Sequence, residues 1–390
     1  VVAAQLAAGW SGTGADAVSG VVPGQVARPS SAREVADVLR STTGTVVPVG
    51  GRSKIGWAAP PTSCDLALDL TELDRVLEHV AGDLVVVAEA GVRLEALQDQ
   101  LAASGQMLAL DPPEPDATLG GLVSANASGP RRLRYGTVRD LLIGVTVVLA
   151  DGTTASSGGK VVKNVAGYDL GKLYTGAHGS LGVVVSTTWR LHPLPPASGA
   201  VVVPVRDSAD AGRLAQLLVR STLTPSATEL RRADGELSLL VLFESIPESV
   251  DAQAAAAVAL LGAGERSEQP PSWWGHRPGA DADLVLRLAY EPYALPAVLD
   301  ALPATAVVHA STGTGVAYVA QPAATGLAGL AGLRTALAPY DGTAVVLSAP
   351  AGSGVDHWGP VPDSFALMQR VKDRFDPERR LSPGRLLGGL

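Results

Sequence analysis

Cysteine is nearly absent: the 390 residues hold one, Cys64. A single thiol excludes an internal disulfide and any iron–sulfur or zinc centre built on cysteines of this chain. Aromatic residues are also scarce, at 4%, so Val, Leu and Ala must fill the core. Charged residues make up 17% and the net charge is −8. Without a basic tract, that balance argues against a nucleic-acid partner. No apolar stretch reaches the roughly 18 residues of a membrane-spanning helix. The first residues lack the charged-then-apolar order of a secretory leader. The expected location is the cytoplasm, with any attachment to the inner membrane made through partners.

What is plentiful is glycine, 44 residues, and a hydrophobic fraction of 46%. The length suits two large domains. In the first half, Ser31 and Glu34 stand at capping-box spacing ahead of Val35, Val38 and Leu39, which predicts a helix. Strands are predicted over 45–49, 66–70, 84–88 and 182–191. Residues 93–103 predict a helix with Leu94, Leu97 and Leu101 on one face. Residues 136–149 hold a buried strand ending in the hairpin-type turn Asp151-Gly152. Pro193, Pro195 and Pro196 mark a boundary. From Ala200 the pattern reads strand, helix, strand, strand, helix. From Leu284 to Leu347 it reads β-α-β-β-α-β, beyond a linker over 262–282. Together they predict two ferredoxin-like halves in one antiparallel sheet. A last helix starts near Asp363 and carries Phe365, Met368, Val371 and Phe375. The fold class is α+β.

Four segments carry chemistry. Val49-Gly50-Gly51-Arg52-Ser53-Lys54 directly follows a strand. Consecutive small residues let backbone N–H groups converge on one concavity, as a diphosphate requires; a tight turn accounts for the same residues. The spacing is neither G-x-G-x-x-G nor a Walker loop, so Rossmann and P-loop readings fail. The second segment, 116–129, contains Thr118, Leu119, Gly120, Gly121, Ser124, Asn126, Ser128 and Gly129, with almost no bulk. A backbone approaches a flat ring closely only where side chains are absent. The segment is therefore read as ligand-facing, the alternative being a small-residue helix packed in the core. Pro113 lies in the extended Pro112-Pro113-Glu114-Pro115 passage before it. The third segment is 158–170, with Lys160 and Lys163, for which a solvated loop is the plain alternative. In the fourth, 176–184, a glycine turn feeds a buried strand.

In order and spacing, these segments resemble the FAD-binding domain of the vanillyl-alcohol-oxidase type, also called PCMH-type, over roughly residues 20–196. A finer likeness is to the FAD-binding E subunit of glycolate oxidases. It rests on Gly-Lys-Val-Val-Lys-Asn-Val-Ala-Gly-Tyr-Asp-Leu at 159–170, on 119–132, on Leu286-Arg287-Leu288 and on the tail. There, Phe375-Asp376-Pro377 leads to Ser382-Pro383-Gly384-Arg385, with Ser382 where the family has Asn. The resemblance implies a two-lobed FAD domain over 1–196, an antiparallel cap over 197–349 and a returning segment over 350–390. It places the pyrophosphate on Val49 to Lys54. The flavin falls against Pro113, Thr118 to Gly121, Ser124, Asn126, Ser128 and Gly129, and the adenosine part beside Gly182 and Val183. Covalent attachment in the wider family uses His or Cys in the first two segments. Neither has one, so FAD is expected to be dissociable.

Oxidising a 2-hydroxy acid needs a cation for the carboxylate and a base for the hydroxyl proton. Arg287, alone among apolar residues of a predicted strand, is the candidate clamp; an edge-strand charge facing water is the alternative. Arg131, Arg132 and Arg134 are further cations, for substrate or for a partner. His309 opens His-Ala-Ser-Thr-Gly-Thr-Gly, where catalytic relatives carry His-x-Gly-Asp-Gly-Asn-x-His around a metal. Only the first His matches, so a structural histidine outweighs a base there, and His357 adds no second cluster. No metal site is expected. The resemblance implies an FAD-binding subunit that oxidises glycolate or lactate together with a catalytic flavoprotein subunit and an iron–sulfur subunit. A stand-alone oxidoreductase and a flavin-free scaffold are the other readings.

Overall fold

The computed structural model describes residues 10–160, 169–279 and 283–390. Most of the third glycine segment, 161–168, lies outside them. Strands β1 (Trp10–Ser11), β2 (Gln25–Ala27), β3 (Val46–Val49) and β4 (Leu66–Asp69) form a sheet in the order β1-β2-β4-β3. Strands β2 and β3 both run parallel to β4, which a hairpin cannot achieve and a crossover helix can. That helix is Ala32–Ser41. The Ser31 hydroxyl accepts from Glu34 N at 3.3 Å, but the Glu34 carboxylate reaches back to Ser30 N at 2.7 Å, one residue earlier than a capping box would have it.

Strands β5 (Val76–Val80), β6 (Val85–Glu89), β7 (Gln106–Met107), β8 (Leu142–Val148), β9 (Thr154–Gly158), β10 (Val183–Arg190) and β11 (His192–Pro193) follow. Five of them make an antiparallel sheet, β5-β6-β10-β8-β9, while β7 pairs with β11. The crossover helix buries Val35, Val38 and Leu39 between the sheets, against Leu66 and Leu68 on one side and Val148, Val183 and Val185 on the other.

The rest of the chain builds one eight-stranded antiparallel sheet. Its strands are β12 (Ala197–Val205), β13 (Ala227–Ala233), β14 (Glu236–Ser245), β15 (Glu265–Ser267), β16 (Leu284–Ala289), β17 (Val307–Ser311), β18 (Val316–Gln321) and β19 (Thr343–Ser348). The order β15-β12-β14-β13-β17-β18-β16-β19 is two ferredoxin-like halves placed edge to edge, joined where β13 pairs with β17. β15 was not visible in the sequence. It lies within the stretch read as a linker, has only three residues and buries none of them, so no apolar alternation marks it.

Strand alternation sorts the sheet's two faces. Leu284, Leu286 and Leu288 pack with the helices of the same half, whereas Val285, Tyr318, Ala320 and Leu347 join the core of residues 57–191. Across that second face, the Arg131 guanidinium meets the buried carboxylate of Glu244 at 2.6 Å.

The chain then returns to the first sheets through the helix Phe365–Phe375. Its apolar stripe is only half-buried, and its one fully buried residue is Lys372. Lys372 Nζ donates to Asp376 Oδ2 at 2.6 Å, Ser180 O at 2.8 Å and Leu381 O at 2.9 Å. All three ammonium donors are thus satisfied, which lets a charge sit at 2% exposure. Removing one partner of a buried pair strands the other. Asp376→Asn is therefore expected to lower unfolding stability by about 3 kcal/mol in urea titration. A loss under about 1 kcal/mol would place the pair with ordinary surface bridges.

Candidate functional site

A cleft opens between the first two sheets, at the C-terminal end of β3. It is lined by residues 48–55, by Leu70 and Ala90, by Thr118, Gly120, Gly121, Ser124 and Ala125, and by His178, Gly179, Gly182, Val184 and Arg385. The two glycine segments meet here because they lack side chains. A Cβ on Gly50 would stand 2.5 Å from Thr118 Oγ1, and one on Gly51 would overlap the Asp116 carbonyl oxygen. On Gly120 it would stand 2.8 Å from the Ala90 Cβ.

Residues 118–126 build one short helix with a core face and a cleft face. Thr118 caps the helix Leu119–Ala125, accepting from Gly121 N at 3.3 Å. Leu119, Leu122 and Val123 turn into the core, while Gly121 and Ser124 line the cleft. Asn126 ends the helix in the left-handed region at φ 49, and its Oδ1 is buried without a hydrogen-bond partner among the described residues. Ser128 is structural: its Oγ accepts from Val138 N at 3.1 Å. Val183 faces the core between the sheets, and its neighbour Val184 faces the cleft.

Arg52 adopts φ 58. Its Nη1 donates to Asp16 O at 3.0 Å and Ala17 O at 3.2 Å, while Nη2 is buried with no partner among the described residues. Lys54 Nζ donates to Ser53 Oγ at 2.9 Å, and burial pulls its pKa down to about 8 against the opposing charge of Glu114. Two cleft residues were not singled out from the sequence. His178 sits at φ 49 within the fourth segment. Burial, then Arg385 and Arg287, holds its pKa at about 3, so its ring is neutral. Arg385, from the closing Pro-Gly-Arg, donates through Nη2 to Ile55 O at 2.7 Å.

A second cavity lies between the first domain and the eight-stranded sheet. Pro113, Gly129 and Arg132 line one side, and Glu229, Trp273, His276, His309, Ser311 and Tyr318 the other. The expected flavin residues Pro113 and Gly129 thus lie here, apart from those of the cleft. Cross-strand registry builds the sheet's share. Arg231 pairs with His309, His309 with Tyr318, and Tyr318 with Arg287, a single row on one face. Arg287 is not an edge charge, because β16 is flanked by β18 and β19. Burial depresses its pKa, with the Tyr318 hydroxyl opposing. Its charge acts on both His178 of the cleft and Arg132 of the cavity.

His309 Nδ1 lies 2.9 Å from the His276 carbonyl oxygen, so Nδ1 carries the hydrogen and Nε2 the lone pair. Its ring stacks obliquely on Trp273 at 5.3 Å, and burial lowers its pKa to about 4. Glu229 escaped the sequence analysis, because a glutamate beside Arg231 and Arg232 reads as a solvated strand charge. It is buried, and this raises its pKa to about 8 although Arg132 and the Ser311 hydroxyl oppose the shift. Among the described residues, no group of three His, Cys, Asp or Glu side chains could hold a metal.

The cleft suits a dinucleotide: its glycines leave backbone bare, and Arg52 keeps a free N–H. Gly51→Val would push the two glycine segments apart. The variant is expected to lose at least about tenfold in flavin affinity while keeping its far-ultraviolet circular dichroism. Unchanged flavin content in the purified variant would remove this contact from the cofactor site.

Comparison with known proteins agrees with this geometry. An FAD binding domain family matches residues 23–158. A D-lactate dehydrogenase of Archaeoglobus fulgidus is 32% identical over 63% of this chain and 60% of its own length. The glycolate oxidase subunit GlcE of Escherichia coli is 36% identical over 38% of this chain and 43% of its own. Such matches span under two thirds of those relatives. A D-2-hydroxyglutarate dehydrogenase of Xanthomonas citri, 29% identical, aligns over 93% of this chain and 89% of its own length. In fold, the chain is similar to alkyldihydroxyacetonephosphate synthase, with a TM-score of 0.70 at 16% identity over 94% of this chain and 78% of that one. Residues 23–158 match an FAD binding domain of the PCMH type, and FAD is the cofactor.

Proposed function

We propose that this chain is an FAD-dependent oxidoreductase of 2-hydroxy acids, serving as the FAD-binding subunit of a glycolate-oxidase-type dehydrogenase. The observation that carries the reading is the half-buried Arg287, which pairs in register with Tyr318 of the second cavity and whose charge acts on His178 of the glycine-lined cleft. FAD, when bound, supplies a two-electron acceptor. Residues 49–54, Thr118, Gly121, Ser124 and Gly182 would hold it. The Arg132 and Arg287 guanidinium groups supply the positive charge that a substrate carboxylate requires, and Trp273 and Tyr318 give the cavity an aromatic lining.

Partner dependence is favoured by the single cysteine, since onward one-electron transfer then needs clusters held on another chain, as an iron–sulfur subunit would provide. The near full-length alignment with D-2-hydroxyglutarate dehydrogenase favours a stand-alone enzyme instead. A flavin-free scaffold would leave the bare glycine contacts of the cleft without a use. No helix of the described residues is long and apolar enough to cross a membrane.

Purified protein is expected to be yellow, and acid precipitation to release the colour into the supernatant. Colour in the pellet would point to a covalent bond, for which His178 is the histidine lining the cleft. Glycolate, D-lactate and D-2-hydroxyglutarate are each expected to turn over appreciably only with partner subunits present. Appreciable turnover by the chain alone would favour the stand-alone reading. Arg287→Ala is expected to lower kcat/KM by about 100-fold with FAD content unchanged. An unaltered kcat/KM would remove the arginine from the site.

A further inference from the structure

The second cavity contains one carboxylate among its described lining residues, Glu229. It sits on β13, at the seam where the two ferredoxin-like halves join. Glu229 pairs with Ser311, and Ser311 with Val316. This places it two residues from the Arg231–His309–Tyr318–Arg287 row and on the same face. Arg132 approaches from the segment after Gly129, and Asp111 from the passage before Pro113. Arg132 and the Ser311 hydroxyl favour the ionised carboxyl, while Asp111 opposes it. Tyr290 stands beyond the end of β16, close enough for the Glu229 charge to act on its phenol. Its buried hydroxyl makes no hydrogen bond among the described residues, so it does not tie the carboxylate down. His309 completes the surroundings.

We propose that Glu229 is the proton acceptor of this cavity, taking the hydroxyl proton of a 2-hydroxy carboxylate whose carboxylate faces Arg132. This rests on the hydroxy-acid reading above. As the O–H bond breaks, its proton passes to a Glu229 oxygen and its electron pair becomes the second C–O bond. The α-hydrogen leaves with its pair to the two-electron oxidant, FAD, and the substrate becomes a 2-oxo acid. The neighbouring imidazole is the weaker base: burial keeps His309 at about 4 and Glu229 at about 8, nearer to neutral operating conditions. A buried glutamate with a purely structural role would instead be expected to sit in a closed set of donors.

The test is calorimetric titration of the FAD-loaded protein with pyruvate near pH 8.5, in buffers of different ionisation enthalpy. A second anion beside Glu229 raises its proton affinity. Wild-type protein should therefore take up about half a proton or more per pyruvate bound. Glu229→Gln should bind pyruvate with no uptake, and His309→Gln should keep it. In turnover, wild-type kcat/KM should rise with pH to a plateau above about 8, as the ionised form accumulates. Glu229→Gln should lose that limb and about 100-fold or more in rate. Uptake that persists in Glu229→Gln, or is absent from the wild type, overturns the role of Glu229 and leaves the hydroxy-acid reading standing. Failure of pyruvate, D-lactate and glycolate all to bind overturns that reading, and the role of Glu229 with it.

Discussion

Two segments can approach this closely only where one of them is bare of side chains, and this molecule is organised around one such contact. Gly50 and Gly51 lie against Asp116 and Thr118, and Gly120 lies against Ala90. The contact ties the loop after the parallel sheet to the helix that packs on the antiparallel sheet. It fixes how far apart the sheets stand and leaves a floor of exposed peptide groups between them. Beside that floor, Arg52 Nη2 is buried and makes no hydrogen bond to the described residues. A buried donor in that state is open to a bound molecule or to a water.

The eight-stranded sheet does the complementary work. Leu284, Leu286 and Leu288 go to the helices, while Arg231, His309, Tyr318 and Arg287 share the other face, so a row of ionisable groups meets the first domain in a largely buried seam. There the same desolvation acts in opposite directions: it keeps His178 and His309 neutral and favours the protonated form of Glu229. The cationic share of the charge is left to arginines, which stay ionised under conditions that discharge the histidines.

Much of this was legible in the sequence where local rules and tertiary packing agree. Strand and helix periods located the ferredoxin-like halves, and the glycine segments located the cleft. What escaped depended on registry and on distant partners. β15 has too few residues to show a period. Val183 and Val184 are interchangeable by composition, and only the sheet decides which one faces the cleft. Lys372 interrupts an apolar stripe and reads as the solvent face, because its three acceptors come from Ser180, Asp376 and Leu381. Glu229 hides for the same reason, as nothing in Thr228-Glu229-Leu230 announces that Ser311 and Arg132 will surround it.

The returning tail sets an order of events. Arg385 lines the cleft and donates to Ile55 O across 330 residues of sequence. The bridge from Leu381 to Val46 adds a rung to the edge of the parallel sheet. One wall of the cleft therefore waits for residues synthesised long after the glycine loops. During translation those loops stand half enclosed until the residues around Leu381 and Arg385 have been made.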